Sequence, residues 1–206
     1  RHDRELGLLA VLVAFGVFVS SASPWFLTAD NLGALARHLA EVGIVAGIMT
    51  LVVTAGGIDL SVGSLLALCG IVFGYTWPEL GALPAAALAL AVGAVCGAGN
   101  GFLVSNGRLP ALVVTLATMA LFRGLALGIS QGQPVSQLPP GFAGLGQGSL
   151  GGAPVQLWVW MAVVGLAGLV TTRLVWGRWV RALGDNELAA RHAAVPVGRV
   201  QICLYA

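Results

Sequence analysis

The distribution of charge along this sequence constrains its fold more than any other feature. Six apolar runs, at about residues 6–22, 32–54, 60–75, 84–104, 110–130 and 155–172, are set apart by short segments rich in Pro, Gly, Asn or Arg. About 20 predominantly apolar residues let a helix cross a hydrocarbon core, and in that medium backbone polar groups must be satisfied within the protein. We therefore expect an all-α, polytopic transmembrane helix bundle of about six spans, a single domain over 1–206. Composition agrees, since 58% of residues are hydrophobic and only ten basic and eight acidic residues occur in 206. That is too little polar material to cover a globule in water. Run 6–22, preceded by Arg1, Asp3 and Arg4 and followed by Ser21-Ala22-Ser23, also has the outline of a signal peptide. The spans downstream favour a retained first helix. The chain opens on Arg1 and stops at Ala206 in a newly begun apolar stretch, so it is expected to be the N-terminal portion of a longer chain.

Orientation follows from the arginines, which are retained on the cytoplasmic side. With six spans and a cytoplasmic N-terminus, eight of the ten arginines, Arg1, Arg4, Arg108, Arg173, Arg178, Arg181, Arg191 and Arg199, fall inside. The uncharged, Gly- and Pro-rich segment 131–153 then becomes a periplasmic loop, and 177–199 a cytoplasmic one. Asp30 or Asn31 is expected to cap the second helix. Gly43/Gly47, Gly70/Gly74, Gly93/Gly97 and Gly97/Gly101 lie four residues apart, a spacing that lets helix backbones approach closely.

Several chemistries are excluded. The sequence holds no lysine, so this chain cannot provide a phosphate-loop lysine, a Schiff-base lysine or a Ser-Lys dyad. Any ATP-driven work needs its ATPase on another polypeptide. A net charge of +2 gives no nucleic-acid footprint. Cys69, Cys96 and Cys203 are expected to be reduced packing residues, and His2, His38 and His192 stand at no metal-ligand spacing. No Ser-His pair or paired aspartates suggest intramembrane proteolysis.

Polar residues inside apolar runs are costly and need a reason. Asp59 lies in Thr54-Ala55-Gly56-Gly57-Ile58-Asp59-Leu60-Ser61-Val62-Gly63-Ser64, where Gly56 and Gly57 break one span just before the next. Its carboxylate can cap the following helix near Ser61 and Val62, or the break can expose polar groups to a translocation pathway; the two roles are compatible. Arg123 stands thirteen residues beyond Pro110, about 20 Å of helix rise, and can snorkel at the outer end of its span, pair with a buried charge or line a pathway. Asn100, between Gly99 and Gly101, suits a helix end or hydrogen bonds to an uncharged solute. In the last polar segment, Gly184 and Asp185 are expected to form a turn and N-cap. Asn186 and Glu187 follow, with Glu187 and Arg191 as an i,i+4 pair. Ala189, Ala190, Ala193 and Ala194 then offer a small-residue face before Pro196.

The 54–64 segment resembles the signature of permease subunits of bacterial ABC importers for monosaccharides, the ribose, xylose, rhamnose and autoinducer-2 family. Asn100-Gly101, then Leu109-Pro110-Ala111 through Met119 and Phe122-Arg123-Gly124, is similar to that family's next block, in the same order. Gly177-Arg178 through Arg191 resembles its cytoplasmic coupling loop, with Ala189-Ala190 in the alanine-rich motif that contacts the ATPase. The resemblance implies a multi-pass permease of the bacterial inner membrane, itself no enzyme and without a cofactor in this chain, that dimerises with a second copy or similar chain. A periplasmic sugar-binding protein would deliver substrate, and a cytoplasmic ATP-binding subunit would carry ATP and Mg. On this basis Gly56, Gly57, Asp59, Ser61, Ser64, Asn100 and Arg123 are expected along the pathway or broken helix. Gly184, Asp185, Asn186, Glu187, Ala189, Ala190 and Arg191 are expected at the ATPase contact. The scarcity of intramembrane charge suits a neutral polyol. A branched-chain amino-acid or nucleoside ABC permease is the nearest alternative, and an ion-coupled secondary transporter would usually carry more intramembrane carboxylates than Asp59 alone.

Overall fold

The computed structural model describes residues 2–136 and 138–206. Its long helices are α1 (His2–Ala22), α2 (Ala29–Thr54), α3 (Val62–Leu80), α4 (Ala82–Ser105), α5 (Ala111–Ser130) and α7 (Val155–Arg173). Between α5 and α7 lie the short helix α6 (Pro140–Gln147) and a hairpin of two-residue strands, β1 (Ser149–Leu150) and β2 (Ala153–Pro154); after α7 come α8 (Val175–Asp185), α9 (Glu187–His192) and α10 (Val197–Tyr205). Segment 131–153, expected to be a loop, thus has structure of its own.

All six expected spans form helices, and five meet both the length and the hydropathy that a bilayer crossing asks for: Glu5–Ala22, Ala29–Thr54, Ala82–Ser105, Ala111–Ser130 and Val155–Arg173. The exception is α3, whose last turns carry Tyr75, Thr76, Trp77, Pro78 and Glu79. It is nonetheless the centre of a three-helix layer, packing along both α4 and α5. Leu68 of α3 meets Phe122 and Ala126 of α5 in a buried cluster flanked by Val92 and Cys96 of α4. The chain after α5 packs beside the last turns of α3: Val135 fills the space above Gly74, Tyr75 donates to the Ser130 carbonyl at 3.3 Å, and the Phe73 and Phe142 rings meet, tilted, with centroids 4.8 Å apart.

A second layer pairs α2 with α7. Gly43 receives the Trp160 indole and Gly47 the Val163 and Val164 side chains. Residue numbers increase together along this seam, so the two helices run parallel. On the other side, the backbone of α10 lies directly against Gly97 and Gly101 of α4, opposite Tyr205 and Ile202. Of the four expected glycine pairs, Gly43/Gly47 and Gly97/Gly101 each pack on a single partner helix, Gly93 meets Cys69 of α3 while Gly97 meets α10, and Gly70 of the Gly70/Gly74 pair faces open space. The start of α2 also differs from expectation. Thr28 is its N-cap and accepts from the Asn31 amide, while Asn31 itself reaches back to the Phe26 carbonyl at 2.8 Å.

The distribution of burial is the reverse of a water-soluble domain. Large apolar side chains such as Leu83 (81% exposed), Leu90 and Val95 face outward, and the apolar stretch Glu5–Ala22 of α1 has no buried residue. Asp59, Ser61, Ser64, Asn100, Ser105, Thr115, Ser130 and Gln156 are buried. An exterior of this kind is stable against lipid or protein and not against water. The close seating of α10 on α4 predicts that Gly101→Leu lowers the melting temperature of the detergent-solubilised protein, by the equivalent of about 1–3 kcal/mol of overpacking. Gly99→Ala, which meets nothing within 4 Å, leaves it unchanged or raised. Equal melting of Gly101→Leu and parent would contradict the α4–α10 contact.

Candidate functional site: a broken helix and its polar cluster

The site begins where α2 stops. Gly56 takes φ +77°, and the amides of Gly57 and Gly56 donate to the carbonyls of Val52 and Val53 at 2.9 and 3.0 Å. This is a Schellman end, with glycine at the left-handed position. Gly57 needs to be small for a different reason, because a Cβ there would strike the Tyr205 hydroxyl and Val52. The chain then runs without helical bonds through Ile58, Asp59 and Leu60 before α3 starts.

Asp59 organises that start. Its Oδ1 accepts from the Ser61 amide at 2.8 Å and from the Ser61 hydroxyl at 2.7 Å, and the Ser61 carbonyl accepts from Leu65 at 2.8 Å in the first turn of α3. Asp59 therefore does not itself cap the helix. Ser61 holds the N-cap position without a side-chain cap, and Asp59 fixes Ser61 from outside. The expected acceptor role is met at Ser61, by both of its donors. The Ser61 hydroxyl in turn accepts from Asn100 Nδ2 of α4 at 2.9 Å. Asn100 is 1% exposed, and its Oδ1 is buried with no hydrogen-bond partner among the described residues.

A second set of bonds converges on the Ile58 carbonyl, which accepts from the Thr115 hydroxyl of α5 at 3.3 Å and from the Tyr205 hydroxyl of α10 at 3.5 Å. The break is thus held by α4, α5 and α10 together. Sequence inspection missed Thr115, Tyr205 and the Ile58 carbonyl. Thr115 was visible only as a lone hydroxyl in the apolar run Leu112-Val113-Val114-Thr115-Leu116, and Tyr205 only as an aromatic residue next to the last position of the sequence.

Of the expected pathway residues, Gly56, Gly57, Asp59, Ser61 and Asn100 come together here. Ser64 is buried one turn into α3, without a hydrogen bond of its own to the cluster. Arg123 lies elsewhere, exposed on α5 two turns beyond Thr115, in a groove of about 260 Å³ with Ala67, Ile71, Gln133 and Pro134. No ion pair joins it to a described residue, and its exposure sets it apart from a buried pair.

The last polar segment folds differently from expectation at its start. Gly184 and Asp185 are the final residues of α8, so they form neither turn nor N-cap; Asn186 is the N-cap, its Oδ1 accepting from the Ala189 amide at 3.0 Å. Asn186 wins because α8, anchored by the buried Leu183, stays helical through Asp185, so that Asn186, at φ −165°, is the first residue outside helical geometry. Glu187 and Arg191 pair as expected, with Glu187 Oε1 accepting from Arg191 Nη2 at 2.7 Å and Nε at 3.0 Å. Ala190 is 3% exposed and faces Val180, Leu183 and Val197, whereas Leu188 and Ala189 face outward. The small-residue face is therefore narrower than the sequence suggests.

Gly184 joins this segment to the site. Its backbone lies against the Thr54 carbonyl and Ala55, and Gly56 in turn faces the Gly184 Cα. A side chain at 184 would separate α8 from the end of α2. Between the break and α9 opens a cavity of about 630 Å³, lined among others by Gly56, Gly57, Arg108, Glu187, Gln201 and Tyr205. The cluster itself, with hydroxyl, amide and carboxylate groups at a helix break, can exchange hydrogen bonds with an uncharged, hydroxyl-rich solute or with water. Among the described residues no group of three or more His, Cys, Asp or Glu could hold a metal ion. Replacing Asp59 by Ala leaves the buried Ser61 amide and hydroxyl without their acceptor, for which a loss of about 1–3 kcal/mol is expected. Asp59→Asn keeps an acceptor oxygen, so it retains most of that stability in the same thermal melt. Equal losses in the two variants would contradict the role given to Oδ1.

Comparison with known proteins agrees with this architecture. The family described as branched-chain amino acid transport system / permease component matches residues 31–206. The ribose import permease protein RbsC of Escherichia coli K12 is 41% identical over 98% of this chain and 64% of its own length. The autoinducer 2 import system permease protein LsrC of Enterobacter sp. 638 is 36% identical over 98% of this chain and 60% of its own. RbsC of Bacillus subtilis 168 is 35% identical over 98% of this chain and 64% of its own. The chain thus spans less than two thirds of the length of these relatives. No solved structure matches it. On the strength of the matched span and these identities, the chain belongs to the branched-chain amino acid transport system / permease component family.

Proposed function

We propose that this chain is the membrane-spanning permease of an ATP-driven importer in the bacterial inner membrane, and that its substrate is a monosaccharide or similar neutral polyol. The observation that carries the reading is the polar cluster at the α2–α3 break. Its hydroxyl and amide groups sit among apolar helices with a single carboxylate, already engaged by Ser61, and with Asn100 Oδ1 open to a donor. Such a set can replace the hydration of a polyol and offers little to an ion. The names of the relatives point the same way, since they are import permeases for ribose and for autoinducer 2.

In this reading the N-terminus and the arginine-bearing segments 106–110 and 174–199 are cytoplasmic, and the α6–hairpin segment is periplasmic. A separate ATP-binding subunit carries ATP and Mg and docks on the outward face of α9, at Leu188 and Ala189. A periplasmic binding protein delivers the sugar, and a second permease chain completes the pathway. Movement of α9 and α8 reaches the break through Gly184, which touches Thr54 and Ala55 directly.

Transport assays on the full-length permease, reconstituted with its ATPase and binding protein, test this. ATP-dependent uptake of ribose or a related sugar is expected. Ala189→Arg should reduce it at least tenfold at unchanged membrane expression, and Asn100→Leu should reduce it while ATPase contact persists. Uptake of leucine in preference to any sugar would replace the substrate assignment, and wild-type uptake by Ala189→Arg would overturn the docking face.

A further inference from the structure

Only part of the α4 face that carries α10 is occupied. Gly101 faces Ile202, and Gly97 faces Tyr205 and Ala206, so a step along α4 is matched by a step of nearly the same size along α10 in the opposite chain direction. Since both helices rise about 1.5 Å per residue, they run antiparallel with little crossing. Continued towards the start of α4 at about 100° per residue, the face of Gly101 and Gly97 takes in Ala94, Leu90, Ala87 and Leu83, all within an arc of about 80°. Those four residues are exposed, Leu90 by 74%. Their spacing alternates between four and three residues, the seam of two helices packed along their length.

The neighbouring side of α4 has a different character. Phe102, Val95 and Leu88 stand there, bulky and exposed, and Phe102 stays 54% exposed although α10 is seated beside it at Gly101. That side suits lipid. Lipid is as apolar as a helix surface, so contact faces between membrane helices are enriched in small residues that let backbones approach. The seam holds Gly101, Gly97, Ala94 and Ala87, and these flank positions hold no small residue.

We propose that in the full-length permease the residues following Ala206 continue α10 as one membrane-spanning helix, packed antiparallel along α4 over Ala94, Leu90, Ala87 and Leu83. Continuity with the existing contact identifies the occupant. Ala206 already lies against Gly97, at the edge of the uncovered stretch, and the relatives have chain to supply, since this one spans 60% to 64% of their length. A helix from a second copy would have to meet α10 end to end on the same seam. From Gly97 back to Ala82, α4 extends about 15 residues, or about 22 Å. Added to α10, a partner of that length makes a helix of about 24 residues, enough to cross a bilayer. Tyr205, whose hydroxyl donates to the Ile58 carbonyl, then holds the break from within a spanning helix. The inference rests on helix packing and is independent of the substrate.

Disulfide trapping in the full-length permease tests this. In a variant whose native cysteines are replaced by alanine, Leu90→Cys is combined in turn with single cysteines over the turns that follow Ala206, and each pair is oxidised with copper phenanthroline. A protease site inserted between Gly151 and Gly152 then separates α4 from α10 unless the two are linked. Cross-linking is expected to follow a helical period and to peak about seven residues past Ala206, matching the distance from Gly97 back to Leu90. Val95→Cys, on the flank, should give severalfold less product with the same set. Both are small changes at exposed positions, so both variants are expected to fold. In thermal melts Ala94→Trp should lower the melting temperature by overpacking, with Val95→Trp near the parent. Absence of product from Leu90→Cys at every position, equal product from Val95→Cys, or a link between two chains, seen as doubled mass before cleavage, would each overturn the assignment.

Discussion

A helix that ends inside an apolar bundle must satisfy its backbone without water, and the architecture around the α2–α3 break follows from that requirement. The last carbonyls of α2 are met by the Gly56 and Gly57 amides, the Ser61 amide by Asp59, and the Ile58 carbonyl by Thr115 and Tyr205. Each solution constrains another element. Tyr205 can reach Ile58 only because Gly57 leaves room for its hydroxyl and because α10 lies against Gly97 and Gly101. Asn100 can reach Ser61 because the same face of α4 carries those glycines. Close packing of α4 with α10 and the placement of polar groups at the break are one arrangement.

The same arrangement explains how a distant segment can act on the cluster. The principal buried apolar cluster lies at the arginine-bearing end, where Val180 and Leu183 of α8, Ala190 of α9 and Val197, Val200 and Leu204 of α10 enclose Val52 of α2. Since α8 meets the end of α2 backbone to backbone at Gly184, displacement of the α8–α9 corner has no soft side chain to absorb it before it reaches Thr54 and the break. Ala190 contributes to this corner from inside, so its small size serves packing, while the outward Leu188 and Ala189 remain for a partner.

Much of this was legible in the sequence where a single helix or turn decides the matter. The six apolar runs, the glycine break and the Glu187–Arg191 pair depend on local period and spacing, and each appears in the structure. The caps at Thr28 and Asn186 were displaced from the expected Asp30 or Asn31 and Asp185, because side-chain chemistry alone does not say how far an amphipathic helix will extend. Thr115 and Tyr205 escaped notice for a different reason. Their roles depend on contacts 57 and 147 residues away in sequence, and nothing in the local pattern distinguishes a hydroxyl that finds a carbonyl across the bundle from one that bonds to its own helix. The hairpin within 149–154 was hidden by its brevity.

The central claim is that the break and the α8–α9 corner form one mechanically continuous unit through Gly184. Hydrogen exchange read by mass spectrometry tests it most directly, comparing the full-length permease with its Gly184→Leu variant, in which a side chain forces α8 away from the Thr54 carbonyl. The account predicts faster exchange in peptides covering 55–62, including the Ser61 amide, with exchange in the α7 segment 158–170 unchanged. Unaltered exchange at 55–62 in a folded Gly184→Leu protein would contradict it.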